Sequence, residues 1–546
     1  MINIDSLTIE AFVSENADFF EGARVQKIQQ PNRRELILNI RSLGESKKLY
    51  ININPEFYHI CFMSKENELK RNIKIPKSAA MFCMLLRKYL EGAKIIEIKK
   101  PSHERIVEIY FEYYDALKAS SRLCLAIELM GKHSNVILYN AETKIILGCA
   151  HNVGAEKSKE RELQGLLPYI YPPKKRKKNL LKTSFGTFIE VISASDLNVE
   201  TVLSDSFYEI TRPMVLMITK GKSIEKEKLY DELLKVVSFQ DFAPNISLNY
   251  EDFSISRREN SIECDSVNSM IDEYFTFHQT RLLIRNLKNK LNAIINAQLK
   301  KLYTLKSKQE SQCEKIEKAE IYKKKGDLLI AHSYEIKEFE KKVTVKDYET
   351  NEDIVIELDQ TLNAIENANK FYKLYKKAKT SFEHATELLK ETELQIKYYE
   401  EQKYFVQIAS EMSELEDILE ELKPENKKPQ EKELKCEVKD ISGFKVYVGK
   451  NSKQNDYILS KISSSNDIWF HPQNGAGAHI VLKRNNAQET VPDEVLLEAA
   501  KLAKTYSAQS TGSKMPIIYT LCKYVKKANC KGLAFVTYKN EKEIYC

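Results

Sequence analysis

Apolar positions change their period several times along the chain, and each change predicts a change of element. Within residues 1–170, short apolar or alternating runs at Glu35–Arg41, Lys94–Lys99, Arg105–Tyr113 and Asn135–Tyr139 predict strands. Ala79–Glu91 predicts a helix closed by Gly92, so this stretch reads as one α+β domain. From Leu180 to about Glu251 the pattern predicts short helices. Beyond Val267, Ile284, Leu287, Leu291 and Ile294 recur at spacings of three and four. Phe405, Ile408, Met412, Leu415, Leu419 and Leu422 repeat the alternation without a break, as heptad seams do. Between the seams, GDLLIAHSYEI (Gly326–Ile336) and EDIVIELD (Glu352–Asp359) have strand character. Two arms straddling a compact insert predict an antiparallel coiled-coil hairpin with a small tip domain, each arm of about 50 residues reaching roughly 75 Å. An intermolecular coiled coil explains each arm separately but not the insert between them. The last segment returns to α+β: Phe444–Val448, Asp467–Phe470, His479–Lys483 and Gly532–Tyr538 predict strands, and Val491–Ser507 a helix with Ala499, Ala500 and Ala503 in a small-residue stripe.

Two breaks divide these regions. YPPKKRKK (Tyr171–Lys178) interrupts periodicity with two prolines and a basic block, and PENKKP (Pro424–Pro429) ends the second arm. The resulting α+β multidomain scheme is 1–170, 171–260, a hairpin over 261–430 with its tip at about 322–360, and 434–546. With 42% hydrophobic and 30% charged residues, the chain supports several cores under a solvated surface, which excludes wholesale disorder. Residues 434–546 hold 17 basic and 10 acidic residues, which accounts for the whole net charge of +7. Such a module suits phosphate contact, although an ordinary basic domain has the same charge. Ten cysteines without a CxxC, an N-terminus lacking a basic and apolar leader, and no bilayer-length apolar run together predict a cytoplasmic protein with reduced thiols and no membrane contact.

Catalytic motifs are missing. GFKVYVGK (Gly443–Lys450) superficially resembles a phosphate loop, but five residues separate its glycines and Asn451 occupies the position of the metal-binding Ser/Thr. No HExxH, G-x-S-x-G or zinc-ligand spacing occurs, and His471 and His479 have no third ligand nearby in sequence. No cofactor, metal or catalytic residue is expected.

Four blocks in order carry a resemblance. Asp5 with GARVQKIQQPNRRELILNIR (Gly22–Arg41), MFCMLLRKYLEG (Met81–Gly92), the pair GDLLIAHSYEI and IELDQTLNAIENANKFYKLYKKAK (Ile356–Lys379), and finally VYVGKNSKQNDYIL with DIWFHPQNGAGAHIVLK (Asp467–Lys483) resemble the RqcH/NEMF family, also called NFACT or FbpA proteins. The resemblance implies an N-terminal domain similar to DNA-glycosylase N-domains, a helix-hairpin-helix unit, a long coiled coil and a terminal RNA-binding module. It also implies a non-enzymatic role. Such proteins bind stalled large ribosomal subunits, through rRNA and ribosomal proteins, and recruit tRNA, alanyl-tRNA in bacteria. The tail then added to the peptidyl-tRNA without mRNA marks the nascent chain for degradation, with the ribosome making the peptide bonds. A small S4-type RNA-binding heat-shock protein is an implied partner. The rival expectation is a surface fibronectin-binding adhesin, a name the same family has carried.

The family's tRNA-related signature, an Asp near the start and an Asp-Arg pair at a strand head, maps onto Asp5, Glu104 and Arg105, with Glu replacing the second Asp. Period two places Arg105 on the face of Val107, Ile109 and Phe111, where its fork needs an anion, water or an internal carboxylate such as Asp5. Further RNA-contact candidates are Arg87, Lys88, Trp469, His471, Gly477, His479, Lys526 and Lys527, with Lys523 and Lys531 on the same prospective basic face. A lone Trp is more often core than a stacking platform. The glycosylase nucleophile, an N-terminal proline, is absent from Met1-Ile2-Asn3. FYEITRPMV (Phe207–Val215) lacks the hairpin glycine, and KKANCKGLAFV (Lys526–Val536) the usual Pro-Gly.

Overall fold

Alternation of buried and exposed side chains in residues 24–63 builds an antiparallel meander. In the computed structural model, helix α1 (Ser6–Phe20) precedes β1 (Arg24–Asn32), β2 (Glu35–Ser42), β3 (Glu45–Asn52) and β4 (His59–Met63). The β2–β3 turn places Leu43 and Gly44 at φ of 51° and 84°, which matches strand twist. Helices α2 (Lys65–Arg71) and α3 (Met81–Leu90) follow, then β5 (Lys94–Lys99), β6 (Ile106–Tyr114), β7 (Ser120–Glu128), β8 (Asn135–Asn140) and β9 (Ile146–Cys149). All nine strands form one antiparallel sheet, ordered β4-β3-β2-β1-β5-β6-β7-β8-β9. The structure describes Ile4–Cys546 apart from 115–119, 157, 159, 174–175, 196, 223, 318, 338–339, 349, 351, 424–435, 474–476, 508–513 and 528–535, and the side chains of 314–317.

The chain divides into two compact units, Met1–Leu282 and Leu283–Cys546. In the first, helices α4 (Phe185–Ser193), α5 (Val199–Ser206), α6 (Arg212–Thr219) and α7 (Lys226–Val237) precede β10 (Phe242–Ser247), β11 (Phe253–Ser256) and β12 (Ser261–Glu263). The helical expectation therefore ends at Val237; Ile246, Phe253 and Ile255 are instead buried in a three-stranded sheet. One core joins Val107, Ile109 and Phe111 of β6 to α1, α3–α7 and Val267–Phe275 at the start of α8 (Val267–Glu317). A second core covers the other face of the sheet with Ile106, Cys124, Ile137 and Tyr139.

The start of α8 is pinned by ions. Glu15 of α1 accepts from the Val267 and Asn268 amides at 2.7 and 3.2 Å, placing a carboxylate at the positive end of the helix dipole. Arg71 and Asp272 meet at 2.6 Å with side chains 2% and 3% exposed, and Arg71 also lies over the Tyr50 ring.

In the second unit, α8 pairs with α10 (Ala364–Ile408). Lys288 reaches the Gln407 carbonyl at 2.8 Å, and Lys306 meets Glu393 at 2.7 Å, so the helices run antiparallel. The first seam is Ile284, Leu287, Leu291, Ile295, Leu299 and Leu302, using Ile295 in place of Ile294. The second seam spans two helices: α10 stops at Ile408, and α11 (Met412–Glu421) restarts with a capping box between Glu411 and Glu414. Between the arms lie α9 (Glu320–Ala331) and the hairpin β13 (Lys342–Lys346) and β14 (Asp353–Glu357). The first half of GDLLIAHSYEI is thus helix. Leu328 and Leu329 bury against Ala368 and Phe371, and a Cβ on Gly326 would stand 2.9 Å from Tyr372 Cε1, so this glycine permits close helix packing.

The terminal module holds β15 (Glu437–Ile441), β16 (Phe444–Val448), α12 (Ser452–Tyr457), β17 (Ile468–Pro472), β18 (Ile480–Leu482), α13 (Asp493–Thr505), β19 (Pro516–Leu521), β20 (Lys526–Lys527), β21 (Val536–Thr537) and β22 (Lys542–Tyr545). Six strands form a sheet ordered β15-β16-β18-β17-β19-β22, against which α13 buries Ala499, Ala500 and Ala503 completely. The expected linker Pro424–Pro429, residues 532–535 of the expected last strand, and Lys174, Lys175, Gly475, Ala476 and Lys531 lie outside the described residues. Among the described residues, nine cysteines are unpaired, no helix is long and apolar enough to cross a membrane, and no group of three or more His, Cys, Asp or Glu could hold a metal.

Candidate nucleic-acid interface

Asp5 is the N-cap of α1, accepting from the Thr8 amide at 2.7 Å. Burial raises its pKa, opposed by the Thr8 hydrogen bonds and the positive charges of Arg105 and Lys100. The three signature residues therefore meet where α1 begins and β6 is about to start. The adjacent Ser6 hydroxyl donates to the Glu104 carbonyl at 3.3 Å, and the Glu104 amide closes a turn onto the Pro101 carbonyl at 3.2 Å. The Leu129 amide donates to the Arg105 carbonyl at 2.8 Å, extending the β6–β7 ladder by one residue.

The Arg105 guanidinium takes a partner that the sequence did not signal. Its Nη1 donates to the Tyr58 hydroxyl at 3.0 Å, and its Cζ lies 5.8 Å from the Tyr58 ring centroid. Among the described residues no carboxylate lies within ion-pair distance of this guanidinium, so the expected internal salt bridge is replaced by a phenol. Tyr58 is 3% exposed, and burial raises its pKa. Lys100, with only 5% of its side chain exposed, pairs with Glu10 at 3.2 Å. The result is a half-buried Arg whose direct hydrogen bond goes to a neutral hydroxyl, while the Asp5 carboxylate acts on it through its charge without an ion-pair contact. That arrangement suits an anionic ligand.

On α3, Arg87 donates through Nε to the Ile28 carbonyl at 2.9 Å and sits 3.7 Å from Glu91, so its head ties the helix to β1. Lys88 is exposed beside the Tyr89 ring.

In the terminal module the candidates separate into core and surface. Trp469 is fully buried, stacked on His471 at 5.5 Å and edge-on to His479 at 5.4 Å. It belongs to the core with Val481 and Ile518 and presents no face to a base, which corrects its candidacy as a contact. His479 is 4% exposed, and burial drives its pKa well below the ordinary value; burial lowers His471 to about 4. Both are neutral packing rings. Gly477 is buried too: a Cβ there would lie 2.6 Å from Pro472 Cγ, so its close approach is to the protein itself and not to a nucleic-acid backbone. Lys526 and Lys527 are exposed on β20, Lys527 pairing with Asp456, and Lys523 is exposed nearby in sequence. Lys450, from the phosphate-loop look-alike, instead bridges Glu414 at 2.8 Å and Glu437 at 2.9 Å.

The chain matches the NFACT N-terminal and middle domains over residues 5–435 and the NFACT protein RNA binding domain over 436–536. The chain belongs to the NFACT family. Among its curated relatives, "Rqc2 homolog RqcH" of Streptococcus suis is 28% identical over 559 residues, covering 100% of this chain and 98% of the relative. The protein of the same name from Bacillus subtilis is 26% identical, covering 96% and 94%. Of solved structures, the N-terminal part of the fibronectin/fibrinogen-binding protein from Streptococcus suis is 27% identical, covering 50% of this chain and 100% of that one, with a TM-score of 0.43. This NFACT chain therefore has an RNA-binding domain at 436–536, within the 434–546 segment that carries its entire excess of positive charge.

Proposed function

We propose that this NFACT protein is a ribosome-associated quality-control factor that binds stalled large subunits carrying peptidyl-tRNA and recruits tRNA, alanyl-tRNA among them, for mRNA-independent tailing of the nascent chain. The observation that carries the reading is full-length similarity to relatives named Rqc2 homolog RqcH, joined to an NFACT RNA-binding domain. The protein would bind and position tRNA while the ribosome forms the peptide bonds, with a small S4-type RNA-binding protein as a partner and the cytoplasm as its place of action. Asp5, Glu104 and Arg105 would face tRNA, supported by an Arg whose nearest hydrogen-bond partner is a phenol and not a carboxylate. Lys526 and Lys527, with Lys88 on the N-terminal domain, would supply phosphate contacts.

The test is to recover the protein from cells and sequence the RNA that comes with it. Enrichment of tRNA and large-subunit rRNA is the expected result, and the absence of both overturns the reading. Arg105→Glu is expected to abolish tail addition while large-subunit binding persists.

A further inference from the structure

The loop 101–105, which delivers Glu104 and Arg105, is gripped from a second side by the turn between α5 and α6. His103 has a φ of 64°, a left-handed conformation uncommon outside glycine, and such a backbone persists only where its surroundings over-determine it. Those surroundings are explicit. The His103 ring stacks on Tyr208 with centroids 4.4 Å apart and planes at 19°. Its Nδ1 lies 3.2 Å from Glu209 Oε1, and Glu209 is 8% exposed. The other oxygen of the same carboxylate accepts from the Leu180 amide at 3.3 Å, so both arms of Glu209 are committed inward.

This turn lacks the properties of a phosphate cradle. None of residues 207–211 has positive φ. Phe207 and Ile210 are buried. The Phe207 amide donates to Leu203 and the Tyr208 amide to Lys178, which removes both from anion binding. A buried carboxylate in the middle of the turn would also repel phosphate.

We propose that the α5–α6 turn braces the Glu104–Arg105 loop, with His103 as the positioning residue through which Tyr208 and Glu209 fix where Arg105 points. The brace rests on the tRNA reading above and assigns that turn a different task, holding the loop instead of touching RNA. On the opposite side, Ser6 holds the Glu104 carbonyl, so the loop is clamped between α1 and the turn.

The experiment uses the full chain and two probes, purified tRNA and purified large ribosomal subunits. His103→Ala is expected to weaken tRNA binding about three- to tenfold, the scale of one or two lost polar contacts, with large-subunit affinity unchanged. His103→Asn, which tolerates left-handed backbone and retains a donor for Glu209, is expected to recover most of that loss. Glu209→Gln combined with His103→Ala is expected to lose no more than His103→Ala alone. If His103→Ala does not fold, Glu209→Gln, of nearly the same volume, carries the same comparison. A wild type that binds tRNA while the variants match it within twofold overturns the brace alone, as does an equal loss of tRNA and subunit binding. A wild type that binds subunits but no tRNA removes the tRNA reading and the brace with it.

Discussion

Arg105 and Tyr58 stand 47 residues apart in the chain, yet the Arg105 Nη1 donates to the Tyr58 hydroxyl at 3.0 Å. The bond joins the segment before β4 to the residue before β6, and it aims the one signature cation. Tyr58→Phe keeps the ring under the guanidinium and deletes only the acceptor. It is expected to weaken tRNA binding about threefold to tenfold, the net worth of one ordinary hydrogen bond, with little change in melting temperature. Filter binding paired with thermal denaturation checks it, and unchanged tRNA affinity refutes a role for this bond in orienting Arg105.

The buried Arg71–Asp272 pair predicts a large stability effect away from any RNA-facing residue. Asp272 accepts from the Ser64 amide at 3.0 Å and the Asn67 side chain at 2.8 Å as well as from Arg71. Asp272→Ala leaves Arg71 buried without its counter-charge and is expected to cost about 3–5 kcal/mol. Urea unfolding followed by circular dichroism measures this, and a cost below about 1 kcal/mol, the range of surface pairs, contradicts the buried assignment.

His471 and His479 predict acid sensitivity in the terminal module. Burial holds His471 near 4 and His479 well below 6.5, while an unfolded imidazole titrates near 6.5. The folded values are depressed, so this contribution to stability is complete above pH 6.5 and is lost as pH falls toward 4. The His471 ring is expected to remove about 1.5 kcal/mol between pH 6.5 and 5, and His479 acts in the same direction. Trp469 is the chain's one tryptophan and packs on both rings, so its fluorescence during denaturant unfolding reports this module. A midpoint that does not move between pH 7 and 5 contradicts the prediction.

Gly477→Ala places a methyl group 2.6 Å from the Pro472 ring and 3.3 Å from the Tyr506 carbonyl. Neither neighbour is a flexible side-chain tip, so overpacking of about 1–3 kcal/mol is expected. The Trp469 unfolding midpoint should fall, while the helical signal of the α8–α10 arms melts as before.

Much of the architecture was legible because local pattern and burial agree. The strand at Lys94–Lys99 has the bounds that its alternation predicts, and the α13 alanine stripe is buried to the last methyl. Errors arose where one local pattern serves two structures. Leu328–Leu329–Ile330 reads as a strand, yet Gly326 lets Tyr372 approach and the run coils against α10. The 405–422 heptads are real contacts, but backbone geometry at Ala409–Glu411 divides them between helices that periodicity alone merges. Trp469, His471 and His479 share one property in sequence, polar-aromatic character near glycines, yet burial assigns Trp469 to a core, with a buried His479 and a half-buried His471 packed on its ring.

The chain's chemistry by itself determined the order of α+β, helical-arm and basic α+β regions and the want of catalytic motifs, because period, charge and motif spacing are local properties, while the candidacy of Asp5, Glu104 and Arg105 came from the family resemblance. Only the tertiary structure decided what these residues touch. Asp5 caps α1, Arg105 binds a phenol from the segment before β4, and His103 reaches a turn 105 residues away in Tyr208. Such partners come together by long-range closure of the sheet and helices around one core, and no local pattern in the sequence encodes that closure.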